Sequence, residues 1–514
     1  MMEILKRPIS HEDRTGPAFW VDEAIWGHRL HDEQTPWLIL LEFLGVLRSE
    51  QVAGRAFAEA EFNALSYRPQ TQLRLRNLIF NNPYLLTIGA EGLSDDAAWT
   101  KWLELMEQNA GGLESRDFSY LRGRFDSFDD FASVVGFLRS SAIEGASNKR
   151  WSSKFVFPFG ASALYEDAAV TASGVSTDRR FFARTGEVLY LMLCRSRRAA
   201  ELRDRLVGKL FEQPTVYDRL VAALQGEPQL AERDRPGAYL PCSTHPIFDQ
   251  LAEDWIAILD SPISVFDALP HIVTITGLNL VRYQLDRARE LLDSVPITMI
   301  CEIVSPKKTV IRDLAADSFQ GNNALPSLAI EHYIRSAETS HEWQLAVASE
   351  DAVLSAAEVL GRQFDWPDPD DLPTGMSNPG DLINELVGRA KTRHAQHVGK
   401  VHSTWARQIG LSSRRSSRRV RYAPTDRLLK TLVVCCVSER MEFKDFLAAL
   451  HDRYGLVIGD QQAASIIGAG KADQEDFSDN ARRLEERLIS LGLLNRLSDS
   501  AAYVENPFRR EVRA

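Results

Sequence analysis

The sequence predicts a mainly α multidomain protein with a small α/β element and a C-terminal winged-helix domain. Apolar residues recur at three- and four-residue spacing along most of the chain, the mark of amphipathic helices. A single run, VPITMICEIV (Val295–Val304), has the apolar, β-branched make-up of a strand. The end of the chain lines up three helical patterns, a glycine and two short alternating runs around a turn. At 514 residues the chain exceeds one ordinary core, so on the order of two to four domains are expected.

Residues 1–150 read as a helical N-terminal domain, with periodic stretches at Trp37–Arg48, Leu73–Phe80 and Ala98–Gln108. Residues 151–363 read as a second helical domain that holds the α/β element. Within it, WSSKFVFPFG (Trp151–Gly160) alternates aromatic with other residues, but Pro158 limits it to an edge strand. Helical patterns follow over Arg180–Arg195, Arg198–Phe211 and Thr215–Leu224. HIVTITGLNLVRYQLDRARELL predicts a buried helix ending near Asp293; the strand then runs until Pro306 stops it, and KKTVIRDLAADSF opens another helix. With few other strand candidates, the sheet must be small.

Residues 364–423 read as a linker and helix region. FDWPDPDDLPTGMSNPGD (Phe364–Asp381) carries four prolines among acids and glycines, which is loop chemistry. IGLSSRRSSRRVRYAP (Ile409–Pro424) sets Arg414, Arg415, Arg418, Arg419 and Arg421 among serines and is expected to stay outside any core. Residues 424–514 then read as the winged helix. Its first helix, Pro424–Glu439, has Leu428, Leu432 and Cys435 on one face, and its second, Met441–Leu456, aligns Phe443, Phe446, Leu447 and Leu450. Ser478 is the expected N-cap of the third, Asn480–Ser490, which Gly492 closes. In a DNA-reading winged helix the third helix enters the major groove, which would aim Arg482, Arg483 and Arg487 at the duplex, with Arg496 in the wing. The same module also serves as a protein-docking unit, and Glu485 and Glu486 stand among those arginines.

The net charge of −11 argues against non-specific coating of nucleic acid, which needs a surplus of Lys and Arg to neutralise phosphates. DNA contact must then be local, and the Arg414–Arg421 run is the patch to make it, by neutralising phosphates or lying in a minor groove. As a solvated tether the same run would only keep the domain soluble. The start, MMEILKRPISHEDRTG, lacks the apolar core of a secretory signal. The longest apolar run, Trp37–Leu47, contains Glu42 and is about half the length of a membrane span. Cys194, Cys242, Cys301, Cys435 and Cys436 are scattered and fit reduced thiols in a bacterial-type cytosol.

No constellation assigns a reaction. GAGK (Gly468–Lys471) lacks the glycine spacing and the hydroxyl of a phosphate loop, and no GxSxG, HExxH or paired CxxC occurs. Cys242 and His245 make half a metal site with no second pair at zinc-like spacing. Of His394, His397 and His402, only the first two share a helix face. Glu302, followed by Lys307 and Lys308, is the catalytic candidate, for a divergent metal-dependent nuclease. Such a strand needs an acid and a lysine two apart so that both meet one metal; here Val304 takes that position and the lysines lie beyond Pro306. The competing role for Glu302 is a pair with a nearby basic side chain. Asp178–Arg198 reads as a core helix with solvated arginine ends. Trp20, Trp26 and Trp37 belong to a core or to a protein interface. No metal and no cofactor is expected.

Three segments, Phe19–Leu44, Ser153–Asp167 and Ile297–Phe319, resemble the large subunits encoded in bacterial antiphage defence islands, and among them an accessory protein of the methylation-associated defence systems. The resemblance runs from about residue 19 to the end. It implies a place beside a DNA methyltransferase and effector or sensor subunits, and it carries over no catalytic residue. Three function classes follow. The first is a cytoplasmic, non-enzymatic component that binds partner subunits through the N-terminal body and DNA through the arginine run and terminal helix, with no membrane contact. The others are the divergent nuclease and a scaffold that never touches nucleic acid.

Overall fold

The computed structural model describes residues 5, 19–28, 30–58, 64–71, 74–79, 82–109, 117–142, 161–164, 168–171, 174–177, 184–212, 214–225, 229–230, 234–305, 309–367, 375–414, 419–498 and 501–508. Trp151–Gly160, Lys307, Lys308, Arg415 and Arg418 lie outside them.

α1 (Phe19–Trp26) and α2 (Pro36–Val52) begin the main core. Thr35 caps α2 by accepting from the Leu38 amide, and Pro36 sits in the first turn, where a missing N–H is not needed. α3 (Arg74–Ile79), α4 (Tyr84–Ala90), α5 (Asp95–Asn109) and α6 (Phe128–Ala142) enclose a separate, aromatic core. In it Trp99 stacks on Phe131 at 5.1 Å, and the Trp102 indole donates to Asn82 Oδ1 at 2.9 Å.

α7 (Thr185–Cys194) returns to the main core and crosses α2 at backbone contact. Gly186 permits that approach, because a Cβ there would lie 2.5 Å from Glu42 Cβ and 2.6 Å from the Ile39 carbonyl oxygen. α8 (Ala199–Leu210), α9 (Val216–Leu224) and α10 (Pro246–Leu259) lead to α11 (Val265–Leu291). After it come α12 (Val310–Arg335), α13 (His341–Val347), α14 (Ala352–Phe364), α15 (Pro379–His397), α16 (Val401–Gln408) and α17 (Asp426–Cys436).

α11 is the axis of the molecule, packed by α1, α2, α10, α12, α16 and α17. A helix surrounded this way must be apolar nearly all round, as the sequence of its middle is, and Ile272–Val281 is buried throughout. The polar groups it takes inside have partners. Thr276 Oγ1 accepts from the Trp255 indole at 2.9 Å, Arg287 Nε donates to the Ile25 carbonyl at 3.0 Å, and the Trp26 indole donates to the Gln284 carbonyl at 2.9 Å. The last two fasten α1 to the axis.

The strands are short. β1 (Ala64–Tyr67) pairs antiparallel with β6 (Arg235–Tyr239), β2 (Gln70–Thr71) with β5 (Gln229–Leu230), and β3 (Ala168–Thr171) with β4 (Gly174–Thr177). The expected strand at Val295–Val304 forms only over β7 (Met299–Ile300), parallel to β11 (Leu456–Val457). Beyond it, the amides of Cys301, Glu302 and Ile303 go to the Val457 carbonyl, the Tyr422 carbonyl and Asn480 Oδ1. The α/β element is thus closed by residues from the end of the chain.

The arginine–serine segment departs from expectation. β8 (Ser412–Ser413) pairs antiparallel with β9 (Arg421–Tyr422), and Ile409, Leu411, Tyr422 and Ala423 are buried. Its aliphatic and aromatic ends supply enough apolar surface to bury both strands, while Arg414 and Arg419 beside them are exposed.

The C-terminal region continues through β10 (Arg440–Glu442), α18 (Phe443–Tyr454), β11, α19 (Ala464–Gly468), α20 (Gln474–Ser490), β12 (Leu494–Arg496) and β13 (Ala502–Glu505). β10, β13 and β12 form an antiparallel sheet in that spatial order. α20 starts at Gln474, ahead of the expected Asn480, and Ser478 lies inside it; Asp476 Oδ2 accepts from the Asp473 amide at 3.2 Å and closes the earlier start. The main core runs from Val21 to Val504, so this region shares its interior with the body.

Candidate interaction surface of the C-terminal region

Three buried polar knots seat the C-terminal region on the body. The first is Asp254, which has no exposed surface. Its Oδ1 accepts from Tyr454 Oη at 2.7 Å, Arg453 Nη2 at 2.8 Å and Gln250 Nε2 at 3.0 Å, while Oδ2 accepts from Asn279 at 2.8 Å. Burial pushes the Asp254 carboxyl above its ordinary range, against the pull of Arg453 and these hydrogen bonds.

The second knot is Asn480 on α20. Its Oδ1 accepts from the Ile303 amide at 2.8 Å, and its Nδ2 donates to the carbonyls of Cys301 at 2.9 Å and Ile458 at 3.0 Å. One amide side chain therefore ties the β7 segment to the chain just after β11.

The third is Glu302. Arg312 Nε donates to its Oε1 at 2.8 Å and Arg421 Nε to its Oε2, and Arg312 Nη2 also donates to the Ser305 carbonyl at 2.7 Å. Next to it, Tyr422 Oη accepts from Asn322 Nδ2 at 3.0 Å and donates to His402 Nε2 at 2.7 Å. His402 Nδ1 in turn donates to Asn323 Oδ1 at 3.1 Å, so the imidazole is neutral in a fixed tautomer. Burial lowers its pKa from 6.5 to about 3.

Among the described residues, those singled out in the sequence take different places. Glu302 is interior, with each carboxylate oxygen held by a guanidinium. Arg421, expected to meet DNA, is 2% exposed and is spent on that pair; β9 is buried at both of its residues, and Glu302 offsets the desolvation of Arg421. Arg419 lies on α12, donating to Asp317 at 2.6 Å and to Gln320. Arg414 is exposed. On α20, Arg482 holds Asp479, Arg483 stands 3.6 Å from the same carboxylate, and Arg487 reaches across to Asp426 of α17 at 2.6 Å. Arg496 on β12 faces Glu485 at 3.6 Å.

The field around α20 is acidic. QEDFSDNARRLEERLIS has five acids against three arginines, and Asp473, Glu475 and Asp476 crowd its N-terminal turn. The backbone amides there attract anions, but carboxylates of the same chain already stand at that end.

The histidines and the cysteine pair separate. His394 Nδ1 lies 2.8 Å from Asp22 Oδ1, the His397 ring lies 5.2 Å from that of His31, and His402 belongs to the Tyr422 network. Asp22, Glu23, His31, Arg393 and His397 line a cleft between α1 and α15. His245 caps α10 by accepting from the Ile247 amide at 3.2 Å, while Cys242 Sγ lies 3.9 Å from Tyr283 Oη. Among the described residues no group of three or more His, Cys, Asp or Glu stands ready to hold a metal ion, and no helix is long and apolar enough to cross a membrane.

Residues 389–506 match the family model described as methylation-associated defense system protein MAD7. Over that span the chain is similar to the MAD7 family. The resemblance drawn from segments outside the span points to the same kind of defence system, and the match supports membership in it. Neither the curated proteins nor the solved structures contain a match. The MAD7 span starts on α15 and takes in α16, the β8–β9 pair and the C-terminal region almost to its end. It contains one side of each knot: Arg453 and Tyr454, Asn480, and Arg421. Sequence reasoning missed Asp254 and Asn480, because an isolated polar residue in a helical pattern looks the same whether it faces water or a buried backbone.

Proposed function

We propose that this chain works by binding, as a docking subunit of its methylation-associated defence system, and that its C-terminal region is a winged helix used to hold protein. The order α17, β10, α18, α20, β12, β13, interrupted by β11 and the short α19 before α20, with the sheet ordered β10–β13–β12, supports the winged helix. The docking use rests on one observation: of the described candidate arginines, all but Arg414 stand against a carboxylate of the same chain, and the end of α20 that would enter a groove is acidic. A recognition helix contacts bases with its N-terminal residues, where carboxylates repel phosphate. The double guanidinium clamp on buried Glu302 supports a non-enzymatic role, and the buried thiols support a reducing, cytosolic setting.

The test is co-purification with the proteins encoded beside it, together with anisotropy titration of a labelled duplex of about 30 base pairs at low salt. A stable complex and no duplex binding is the expected result. Duplex affinity that falls steeply with salt and is lost in the Arg482→Ala, Arg483→Ala, Arg487→Ala variant overturns it.

A second reading keeps DNA contact on the Arg414–Arg421 run, because Arg414 is exposed and the Arg419–Asp317 pair is a surface pair worth at most about 1 kcal/mol, readily exchanged for a phosphate. Alanine at 414, 415, 418 and 419 then flattens the salt dependence of duplex binding; affinity unchanged in that variant removes this reading.

A further inference from the structure

Where α17 crosses the start of α11, aromatic groups and cations share one face. The first two turns of α11 bury Ala268, Leu269 and Ile272 and turn Phe266, Asp267, Pro270 and His271 the other way. Phe266 is 58% exposed, more than any other described phenylalanine, and so forgoes much of the about 1.5–3 kcal/mol that burying such a ring supplies. Pro270, one turn on, and Phe508, whose ring meets that of His271 edge-on at 6.2 Å, are half-buried and extend the apolar strip. α17 brings the cations. Arg427 Nε donates to Thr274 Oγ1 at 3.0 Å, one turn past Pro270, and Thr431 Oγ1, one turn past Arg427, lies 2.8 Å from His271 Nδ1. Lys430, beside Thr431, is exposed. Burial, then Arg427 and Lys430, lower the pKa of His271 against the opposing pull of Asp267, so both cations act on that ring. Among the described residues no carboxylate pairs with Arg427 or Lys430, in contrast to the arginines of α20. The acids nearby are engaged elsewhere: Asp267 accepts from Ser264 Oγ at 2.8 Å, and Asp426 holds Arg487.

We propose that this face is a docking surface for an acidic segment of another protein, with an aromatic or aliphatic side chain on Phe266 and Pro270 and Asp or Glu against Arg427 and Lys430. The proposal rests on the docking reading above and names the place and the partner's chemistry. Charge complementarity selects the occupant, because two cations without a counter-charge steer and hold a carboxylate. Two cations are too few to hold a polyanion to a chain of net charge −11, which favours an acidic peptide over nucleic acid. An exposed aromatic ring beside an arginine is also the composition of a protein interface.

The test uses the full chain co-expressed with the proteins encoded beside it. Benzoylphenylalanine replaces Phe266 or, as a control at another exposed apolar site, Leu345 of α13. Cross-linking from position 266 to an Asp- or Glu-bearing peptide of a partner, with little from 345, is expected. Phe266→Ala and Lys430→Glu, each checked for an unchanged melting curve, should each weaken the complex about tenfold, and raised salt should weaken the wild-type complex. Lys444→Glu on α18, where the ammonium already meets Glu442 at 2.8 Å, should change it little. A complex that forms normally with either Phe266→Ala or Lys430→Glu, or that cross-links from 266 only to a basic peptide or to this chain itself, overturns the patch while leaving docking in place. Binding of a labelled single-stranded oligonucleotide that Lys430→Glu abolishes overturns it in favour of nucleic acid. No complex at all overturns both.

Discussion

Arg421 and Glu302, 119 residues apart in the chain, form an ion pair in the interior, with Arg421 2% exposed and Glu302 not at all. Arg312 holds the other carboxylate oxygen at 2.8 Å, so one acid joins the segment after β7, the start of α12 and β9. Breaking a buried pair costs about 3–5 kcal/mol because a charge is left without its partner. The remaining Arg312 places Arg421→Ala near the lower figure. Its thermal midpoint should fall by several degrees, and a melt indistinguishable from wild type would contradict the geometry.

His402 gives the fold a pH dependence. Its pKa is about 3 in the folded chain against 6.5 when exposed, because burial opposes the charged ring. The folded state therefore binds fewer protons, so this contribution is complete above pH 6.5 and is lost as pH falls toward 3. At pH 5 about 2 kcal/mol has gone, at roughly 1.4 kcal/mol per pH unit. Denaturation midpoints measured from pH 7 to 5 should fall in the wild type and fall less in His402→Gln. Equal slopes would show that the ring does not titrate as described.

The crossing of α2 and α7 tolerates no side chain at Gly186. A methyl there meets Glu42 Cβ at 2.5 Å and the Phe43 amide nitrogen at 2.7 Å, and neither is the free end of a flexible chain. Overpacking of this kind costs about 1–3 kcal/mol or more. Gly186→Ala should melt markedly earlier, whereas Gly136→Ala, where nothing lies within 4 Å, should not.

The thiols should be slow to react. Burial pushes Cys436 up to about 12 and Cys301 and Cys435 well above the ordinary thiol range, so little thiolate is present near neutrality. Cys194, partly exposed although burial also raises it to about 12, should be modified first. A disulfide reagent at pH 8 should label the native chain slowly and all five cysteines after denaturation. Rapid native labelling of Cys301 or Cys435 would refute their burial.

The helices were legible because their signal is local. The apolar spacing of Trp37–Arg48, the long run before Asp293 and the faces of Leu428, Phe446 and Leu450 all report the side of a helix that leaves water, and these residues are buried in α2, α11, α17 and α18. The start of α20 was misplaced because Asp473 and Ser478 both have cap chemistry, and only the Asp473–Asp476 contact chooses between them. The Ile409–Pro424 segment was read from its polar middle, while its apolar ends decided its place.

By itself the sequence determined a helical, acidic, thiol-bearing protein, since composition and periodicity need only near neighbours; the link to methylation-associated defence came from resemblance. Tertiary structure alone decided where each arginine's charge is spent. Arg421 meets Glu302 and Arg487 meets Asp426 through contacts far apart in sequence. An ion pair's strength depends on distance and on the water excluded around it, neither of which a one-dimensional pattern records.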